Sequence, residues 1–344
     1  MSAGQRIGLR EVAERAGVSV STASNALRPG PRISFISEAT QKRVIRVAEQ
    51  MGFRVNSAAR SLRSARRYSI AVVCGDLRER AAVVAAESIF SFLSKTDYAG
   101  VLATCSKVDD LRAYALRHFD SRSQDAVIFI RDDRLITPEL IFSLVRDGLR
   151  CAAIMPDKKG LPGIPLACLD RPRAAAMMVE VLAGEGHRMM DFVLLPNDSP
   201  AIWESANAAA AECQVKVRRI ALSGEPGQQE AFREGFRIGR GELAKSRASA
   251  VAVFSEPLAP GLLQGLLHAG VSVPGDRSFL AYGSSALTES TEPRLSLVSH
   301  PIEQIGRELA ARTIEWIESD FDMGSVSTRQ YEPEFHPGKS IAAR

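Results

Sequence analysis

Residues 9–27 have the sequence LREVAERAGVSVSTASNAL. The first half repeats apolar residues at the i, i+3, i+4 and i+7 spacing of an amphipathic helix and stops at Gly17, because glycine readily adopts the left-handed turn that ends helices. Ser19 is placed as the N-cap of a second helix over residues 20–27. The stretch therefore predicts two short helices joined by a tight turn.

A third helix follows, with Ser37 as its N-cap and residues 38–51 as its body. Its predicted core face consists of Val44, Ile45, Val47, Ala48 and Met51. The second helix carries small polar residues and no broad apolar face, so it is poorly suited to packing. Because the second helix of a helix-turn-helix enters the major groove, residues 1–55 are predicted to form an all-α DNA-binding head.

Two sets of head residues are predicted to contact double-stranded DNA. Val20, Ser21 and Asn25 are candidates for base readout, because valine packs on a thymine methyl, serine bonds several base edges and asparagine can bond adenine bidentately. The candidates for contacts that fix register on the backbone are Leu9, Arg10, Ser19, Thr22, Ser24, Arg28, Ser37, Thr40, Phe53 and Asn56.

Charge separates this head from the remainder of the chain. Residues 1–68 contain thirteen Lys or Arg against four Asp or Glu, whereas residues 69–344 contain 31 against 36. Twelve of the thirteen are arginine, whose planar fork suits phosphate and guanine. This distribution favours a protein that neutralises DNA phosphates with one end.

Composition excludes several other classes. The chain has 344 residues and 45% hydrophobic residues, which predicts two or three compact units. It lacks an apolar run of roughly 18 residues and a signal-peptide core, so we expect a cytoplasmic protein with no membrane partner. Five widely spaced cysteines suggest neither a disulfide framework nor a metal site. No cofactor loop or catalytic triad spacing is present, so we expect no enzyme activity.

From Tyr68 onward, short apolar runs alternate with helical segments, one of which covers residues 81–93. The runs cover residues 69–74, 100–104, 126–130, 151–154, 191–195, 250–254 and 278–282. Continuous apolar strands separated by helices predict parallel sheets covered on both faces, an α/β architecture. The turn-forming sequence LPGIP at 161–165 predicts a boundary between two halves. His187, alone at a predicted helix-to-strand corner, favours a structural role over a catalytic one.

Three motifs in this order and spacing resemble the lactose/galactose repressor (LacI/GalR) family: LREVAERAGVSVSTAS at 9–24, ISEAT at 36–40 and NSAARSL at 56–62. The resemblance implies that residues 56–67 form a hinge helix on operator DNA. Ala59, Arg60 and Leu62 would then lie in the minor groove, with Leu62 wedged between base pairs. Such a wedge costs a few kcal/mol and is offset by bending DNA onto more protein surface.

The same resemblance, weaker beyond the head, implies a body like the type I periplasmic binding proteins. It would have two doubly wound parallel-sheet lobes, 68–165 with 299–328 and 166–298 with 329–344. It further implies a homodimeric repressor on a near-palindromic operator, with a small-molecule effector bound between the lobes. A leucine heptad is missing from residues 334–344, so nothing suggests a four-chain bundle.

The chain departs from the family pattern at several positions. Asn25 replaces an arginine that commonly reads guanine, so the operator sequence should shift, and Ile33–Phe35 looks like an insertion without an assigned role. In the cleft, the aromatic, arginine and aspartate of sugar-binding members are missing at 81 or 82, 205 and 283, which argues against a simple hexose. The remaining cleft candidates are Asp76, Arg78, Arg80, Arg131, Asp170, Arg171 and Glu256.

Three interpretations of the cleft stay open: an anionic ligand on arginines such as Arg78, Arg80 or Arg131, another small molecule, or no ligand in a body that only dimerises. Two alternative functions follow. One is a ligand-independent architectural DNA-binding protein. The other is a small-molecule binding protein with an incidental basic head, for which no specific operator would exist.

Overall fold

The structure is a computed structural model. It describes residues 7–27, 36–53, 66–75, 77, 79–104, 113–114, 123–130, 137–155, 163–222, 224, 228–284, 290–319 and 328–344.

The head contains the three expected helices, α1 (Leu9–Ala16), α2 (Val20–Ala26) and α3 (Glu38–Gln50). Ser19 Oγ accepts the Thr22 N–H at 3.0 Å, and Ser37 Oγ accepts the Thr40 N–H at 3.3 Å. Gly17 ends α1 with a positive φ of 65°. Both predicted N-caps and the glycine turn are therefore confirmed.

Small side chains form the core of the head. Its buried members are Val12, Ala13, Ala16, Ala23, Ala26, Val44 and Ala48. The prediction was wrong for Ile45, which is exposed, because a helix turns about 100° per residue and Ile45 follows the inward-facing Val44. A core made mostly of alanine brings the three helices close together and leaves their polar faces outside.

The first lobe of the body contains a six-stranded sheet. Its strands are β1 (Ser69–Cys74), β2 (Ala99–Thr104), β3 (Ala126–Ile130), β4 (Cys151–Met155), β5 (Leu166–Leu169) and β11 (Thr328–Tyr331). They lie in the order β11-β5-β4-β3-β1-β2, with every neighbouring pair parallel.

The second lobe contains another six-stranded sheet. Its strands are β6 (Met189–Leu194), β7 (Lys216–Ala221), β8 (Ala250–Val253), β9 (Ser278–Tyr282), β10 (Ser296–Ser299) and β12 (Glu334–His336). They lie in the order β12-β10-β9-β8-β6-β7, and β12 pairs antiparallel with β10.

Helices cover both faces of each sheet, as the predicted doubly wound architecture requires. In the first lobe they are α4 (Arg80–Leu93), α5 (Pro138–Arg146) and α10 (Ile302–Glu318). In the second they are α6 (Arg171–Gly184), α7 (Pro200–Glu212), α8 (Gln228–Ile238), a π-helical turn (Gly239–Leu243) and α9 (Ala259–His268). Alternate residues of β1 enter different cores, Ile70 beside α4 and Val73 beside α5.

The strand positions correct the expected lobe boundaries at 165, 298 and 328. The strand β5 pairs with β4 and β11 in the first sheet, so the chain first crosses between lobes at Asp170. It crosses again after Ser299 and for the third time after Tyr331. The LPGIP sequence marks only the turn before a short strand, because proline and glycine signal a turn whether or not a domain ends there.

The sequence reading also missed β7, at the edge of the second sheet. Its sequence KVRRIA has no continuous apolar run, and its side chains at 216, 218 and 219 are exposed. An edge strand needs less burial than a central one, so its sequence carries a weaker signal.

Glycines bring α8 and α9 into close contact. A Cβ added to Gly261 would overlap the carbonyl oxygen of Phe232, and one added to Gly265 would overlap that of Phe236. Gly235 and Gly239 are similarly placed against the backbone of α9. These two helices therefore pack through their backbones, beneath one face of the second sheet.

Residues 337–344 run along the starts of β9 and β10. The Ser340 hydroxyl accepts the Ser296 N–H at 2.8 Å and donates to the Phe279 carbonyl at 2.5 Å. Nearby, His187 is buried with its Nδ1 2.8 Å from Ser249 Oγ, and burial lowers its pKa. This environment agrees with a structural role for His187.

Within the described ranges, none of the helices combines the length and apolar character needed to span a membrane. The same ranges contain no group of three or more His, Cys, Asp or Glu side chains placed to hold a metal ion. Among the described residues, Cys74, Cys151, Cys168 and Cys213 are not joined in disulfide bonds.

Candidate nucleic-acid interface and effector cleft

The predicted base-reading residues lie on α2. Val20 and Ser21 are exposed in its first turn, whereas Asn25 is half-buried one turn later. Ala23 and Ala26 on the opposite side are buried in the head core. The helix therefore presents a small, mostly uncharged surface, and residues 20–26 include neither acidic nor basic side chains.

Hydroxyl groups cluster where α2 and α3 begin. Ser19 Oγ lies 2.8 Å from the hydroxyls of both Ser21 and Thr22, and Ser37 Oγ lies 2.9 Å from that of Thr40. Hydroxyls at helix starts are common partners of DNA phosphate oxygens. Ser24 is half-buried in the middle of α2.

Three other expected DNA contacts have different surroundings. Leu9 and Phe53 are half-buried against the core of the head. Arg10 is exposed and its Nε lies 3.2 Å from Glu14. Leu9 and Phe53 thus contribute to packing, while Arg10 is held by a surface ion pair that costs little to open.

Exposed cations on α3 were missed by the sequence reading. Lys42, Arg43 and Arg46 are all exposed, with Lys42 3.0 Å from Glu38. The sequence could have indicated them, because Arg43 and Arg46 are three residues apart and so share one face of the helix, whereas Val44 points inward. They add positive surface to the head.

Several predicted positions lie outside the described residues. They are Arg28, the segment 33–35, Asn56, Ala59, Arg60, Leu62, Asp76, Arg78 and Arg131.

Asp170 lies at the first crossing between lobes. Its Oδ1 accepts the Arg173 N–H of α6 at 3.0 Å, and its Oδ2 accepts a hydrogen bond from Gln330 Nε2 of β11. Its own N–H donates to the Tyr331 carbonyl at 3.2 Å. One carboxylate thus caps a helix of the second lobe and holds a strand of the first.

At the third crossing, a partly exposed ion pair lies against the buried side chain of Tyr331. Burial and the hydrogen bond to Glu308, at 2.7 Å, raise the pKa of Tyr331 to about 12. Glu308 also lies 2.6 Å from Arg329, whose guanidinium stacks over the Tyr331 ring. The phenol is therefore protonated at neutral pH and acts as a donor.

Arg171 forms a nearly buried ion pair. Its NH2 group lies 2.6 Å from Asp198 Oδ1, with side-chain exposures of 11% and 5%. The guanidinium carbon lies 5.2 Å from the centre of the Phe254 ring. Its Nε is buried without a hydrogen-bond partner among the described residues. The charge of Arg171 is thus already neutralised within the protein.

Glu256 lies just past β8 and bonds to the loop after β9. Its Oε1 accepts the Ser284 hydroxyl at 2.6 Å and its Oε2 accepts the Ser284 N–H at 3.0 Å. Its side chain lies against Gly283, where a Cβ would be 3.0 Å from the Glu256 Cβ.

Aromatic rings pack against one another at the same end of the second sheet. Phe254 stacks on Tyr282 with centroids 4.3 Å apart and planes 9° apart. The Tyr282 hydroxyl lies 3.1 Å from His300 Nδ1 at the second crossing. Ligands of open parallel sheets bind at the carboxyl ends of the strands, where Phe254, Glu256 and Gly283 all lie.

The structure therefore groups part of the predicted cleft. The Arg171 guanidinium lies over the Phe254 ring, Glu256 follows Phe254 by two residues just past β8, and Asp170 precedes Arg171. Arg80 is exposed at the start of α4 in the first lobe. Among the positions compared with sugar-binding proteins, Ala82 is buried in the first core.

Two family models match this chain. Residues 8–56 match the bacterial regulatory proteins of the lacI family, and residues 179–341 match a periplasmic binding protein-like domain. The chain is 25% identical to catabolite control protein A of Streptococcus mutans over 311 residues, covering 89% of this chain and 90% of that protein. It is 25% identical over 331 residues to the transcriptional regulator GntR of Pseudomonas aeruginosa, covering 92% of each.

Solved structures agree on the fold. The lac repressor dimer bound to operator and the anti-inducer ONPF superposes with a TM-score of 0.73 at 16% identity, covering 98% of this chain and 100% of that one. A LacI family regulator from Enterococcus faecium with bound ribose superposes with a TM-score of 0.67 at 22% identity, covering 80% and 99%.

Proposed function

We propose that this chain, a DNA-binding transcriptional regulator of the LacI family with a periplasmic binding protein-like effector domain, is a homodimeric repressor of a near-palindromic operator. The observation that carries the proposal is the geometry of α2. Its exposed first turn, capped by Ser19, presents Val20 and Ser21 at the end that a helix-turn-helix inserts into the major groove. Such a regulator would act in the cytoplasm, where its DNA lies.

Base readout would come from Val20, Ser21 and Asn25, and positioning from the hydroxyls of Ser19 and Thr40. Because residues 20–26 lack a cation, the half-site positions read by them should favour A·T pairs, through the thymine methyl and adenine N6 and N7. Exposed arginines on α3 would supply the salt-dependent part of affinity.

The hinge stays a proposal from the family resemblance. Residues 56–67 would fold as a helix on the operator, with Ala59 and Arg60 in the minor groove and Leu62 as the wedge. Two such hinges, one from each copy, would require the half-site spacing that a dimer fixes.

The contrast between two edge strands supports a homodimer. On β2 the edge of the first sheet exposes Val101 and Leu102, at 39% and 44%, whereas β7 at the matching edge of the second sheet exposes Lys216, Arg218 and Arg219. Charged edges resist pairing and apolar edges favour it. We assign β2 to contact with a second copy of this chain.

The effector would bind between the lobes, at the carboxyl ends of the strands. Its binding would favour one angle between lobes, and hence one spacing of the hinges, which is allostery through differential affinity for two states. Of the arginines expected to hold an anion, Arg78 and Arg131 lie outside the described residues, and Arg80 is exposed.

Selection of bound duplexes from random DNA tests the regulator proposal. We expect an enriched inverted repeat, with binding that weakens steeply as salt rises. A flat selection would contradict it and favour a protein with an incidental basic head. If every metabolite tested left operator affinity unchanged, the architectural alternative would be favoured instead.

Sedimentation of a Leu102→Glu variant tests the dimer. We expect it to sediment as a monomer, while Phe142→Glu, which changes an equally exposed apolar residue on α5, should stay dimeric. A dimeric Leu102→Glu protein would reject β2 as the interface.

A further inference from the structure

We infer that Asp125 and Glu318 are positioning residues, which fix the segment 66–69 to the first lobe and so set the half-site spacing that the dimer accepts on its operator. The inference rests on the proposed homodimeric repressor with a hinge. It concerns the amino end of β1, which lies at the opposite end of the first sheet from the proposed effector cleft.

The carboxylate of Asp125 holds the backbone where the chain enters β1. Its Oδ1 accepts the Arg67 N–H at 2.8 Å, and its Oδ2 accepts the Ser69 N–H at 3.3 Å. The Asp125 N–H in turn donates to the Ser69 carbonyl at 2.7 Å. Because the two oxygens of one carboxylate bind alternate residues, the direction of the backbone over residues 67–69 is fixed.

Tyr68, between these two residues, has a positive φ of 55°. A bulky side chain adopts this left-handed conformation only where its surroundings enforce it. The Tyr68 carbonyl accepts the Ala99 N–H at 2.8 Å, and its ring lies 5.5 Å from that of the buried Tyr98. The chain therefore enters the first lobe through a turn of defined geometry.

Glu318, the last residue of α10, holds Arg66 from a second element. Arg66 donates from one guanidinium nitrogen to the Glu318 carbonyl at 3.2 Å, and another lies 3.9 Å from the carboxylate. Burial raises the pKa of Tyr98, so its hydroxyl stays protonated and donates to Glu318 Oε1 at 3.5 Å. Trp316 and Ile317 are buried and anchor this end of α10 in the lobe.

The clamp, formed by Tyr98, Asp125 and Glu318 around residues 66–69, restricts where the proposed wedge can lie. Leu62 precedes Arg66 by four residues, which span at most about 14 Å when fully extended. The first lobe of each copy therefore limits the position of its own wedge, and two clamps limit the separation of the two wedges. A loose attachment would instead let the linker absorb a change in spacing.

Operators of different length test the inference. The inverted repeat recovered by selection is remade with one or two base pairs added at its centre. Each added pair moves the half-sites apart by about 3.4 Å and rotates them by about 35°. We expect the full-length parent protein to bind the lengthened operators at least tenfold more weakly than the original.

Asp125→Asn should reduce this difference to about threefold or less, because the amide presents an N–H group to one of the two backbone donors. Glu318→Gln should act in the same direction with a smaller effect, because its ion pair with Arg66 is half exposed. It also tests the clamp if Asp125→Asn fails to fold.

Two matched controls change exposed carboxylates elsewhere in the first lobe, Asp147→Asn at the end of α5 and Glu315→Gln on α10. Both should discriminate between operator lengths like the parent protein. Sedimentation as a dimer and parent-like affinity for an isolated half-site show that the interface and the head of each variant are intact, so that a change in length preference reports on the clamp.

The inference is overturned if the parent protein binds every operator length equally, or if both Asp125→Asn and Glu318→Gln keep its discrimination. A flat selection from random DNA contradicts the regulator proposal together with this inference. An enriched inverted repeat that the parent protein binds equally at every length contradicts this inference alone.

Discussion

Asp170 accepts a hydrogen bond from Gln330 across the junction of the two lobes. The same carboxylate caps α6 through the Arg173 N–H, so the start of this helix is tied to β11 of the other lobe. This pair therefore links the two lobes beside the first and third crossings.

Replacing Gln330 by alanine should lower the free energy of unfolding by about 1 kcal/mol, because one partly buried hydrogen bond is lost. Urea denaturation measures this loss. Gln304→Ala removes an exposed bond to Glu308 and should change stability by less than about 0.5 kcal/mol. Equal losses of unfolding free energy in both variants would show that the hydrogen bond at the junction stabilises the protein no more than an exposed one.

Replacing Asn25 by alanine should relax specificity at one base pair per half-site, by about 1 to 3 kcal/mol, because a bidentate bond to adenine is lost. Competition binding with operators altered at single positions measures this. Gln50→Ala, at the end of α3, is the control and should leave the preference intact. Uniform weakening on all sequences would assign Asn25 to backbone contact instead.

Replacing Leu62 by alanine should weaken specific binding far more than non-specific binding, because the wedge acts only where the DNA is kinked. Mobility shifts on operator and on scrambled DNA give the two affinities. Equal losses on both would refute the wedge.

Replacing Gly261 by alanine should destabilise the protein by about 1 to 3 kcal/mol or more, since the new Cβ meets the backbone of α8 and forces the helices apart. Gly184→Ala is the matched control, because no atom lies within 4 Å of a Cβ there. Thermal unfolding of both variants decides, and a stable Gly261→Ala protein would mean that α8 and α9 can separate without cost.

Acidification should destabilise the second lobe through His187. Burial lowers the pKa of His187, so the unfolded chain binds a proton more readily than the folded one. The stabilisation is complete above the unfolded pKa of about 6.5 and is lost as pH falls below it. Melting curves between about pH 7.5 and 5.5 should shift downward, and less so in His187→Gln. Identical pH profiles would exclude this residue as the cause.

Local sequence signals predicted the head well. Helix caps such as Ser19 and Ser37 act within a few residues, so their pattern is visible in the chain itself. Most interior strands were predicted because burial on both faces demands continuous apolar runs, but the buried four-residue strands β5 and β10 were missed because their runs are too short to stand out. The edge strand β7 was not predicted, because a half-exposed strand tolerates charged residues and so has no continuous apolar run.

The cleft was harder to predict, because its contacts join distant parts of the chain. Arg171 was predicted only as a cleft candidate, and its ion pair with Asp198, 27 residues away, was not predicted. The loss of a side chain at Gly283 suggested a lost acidic contact, yet Glu256 fills that space from the next strand. Neither pairing leaves a periodic signal in the sequence.

The three crossings have a consequence for recombination and for engineering. Each lobe is assembled from separate stretches of chain, so a chimera that exchanges one lobe needs matched junctions near Asp170, after Ser299 and after Tyr331. The head is one continuous segment and can be exchanged at a single junction. Operator preference can thus be transplanted among such regulators far more easily than effector preference.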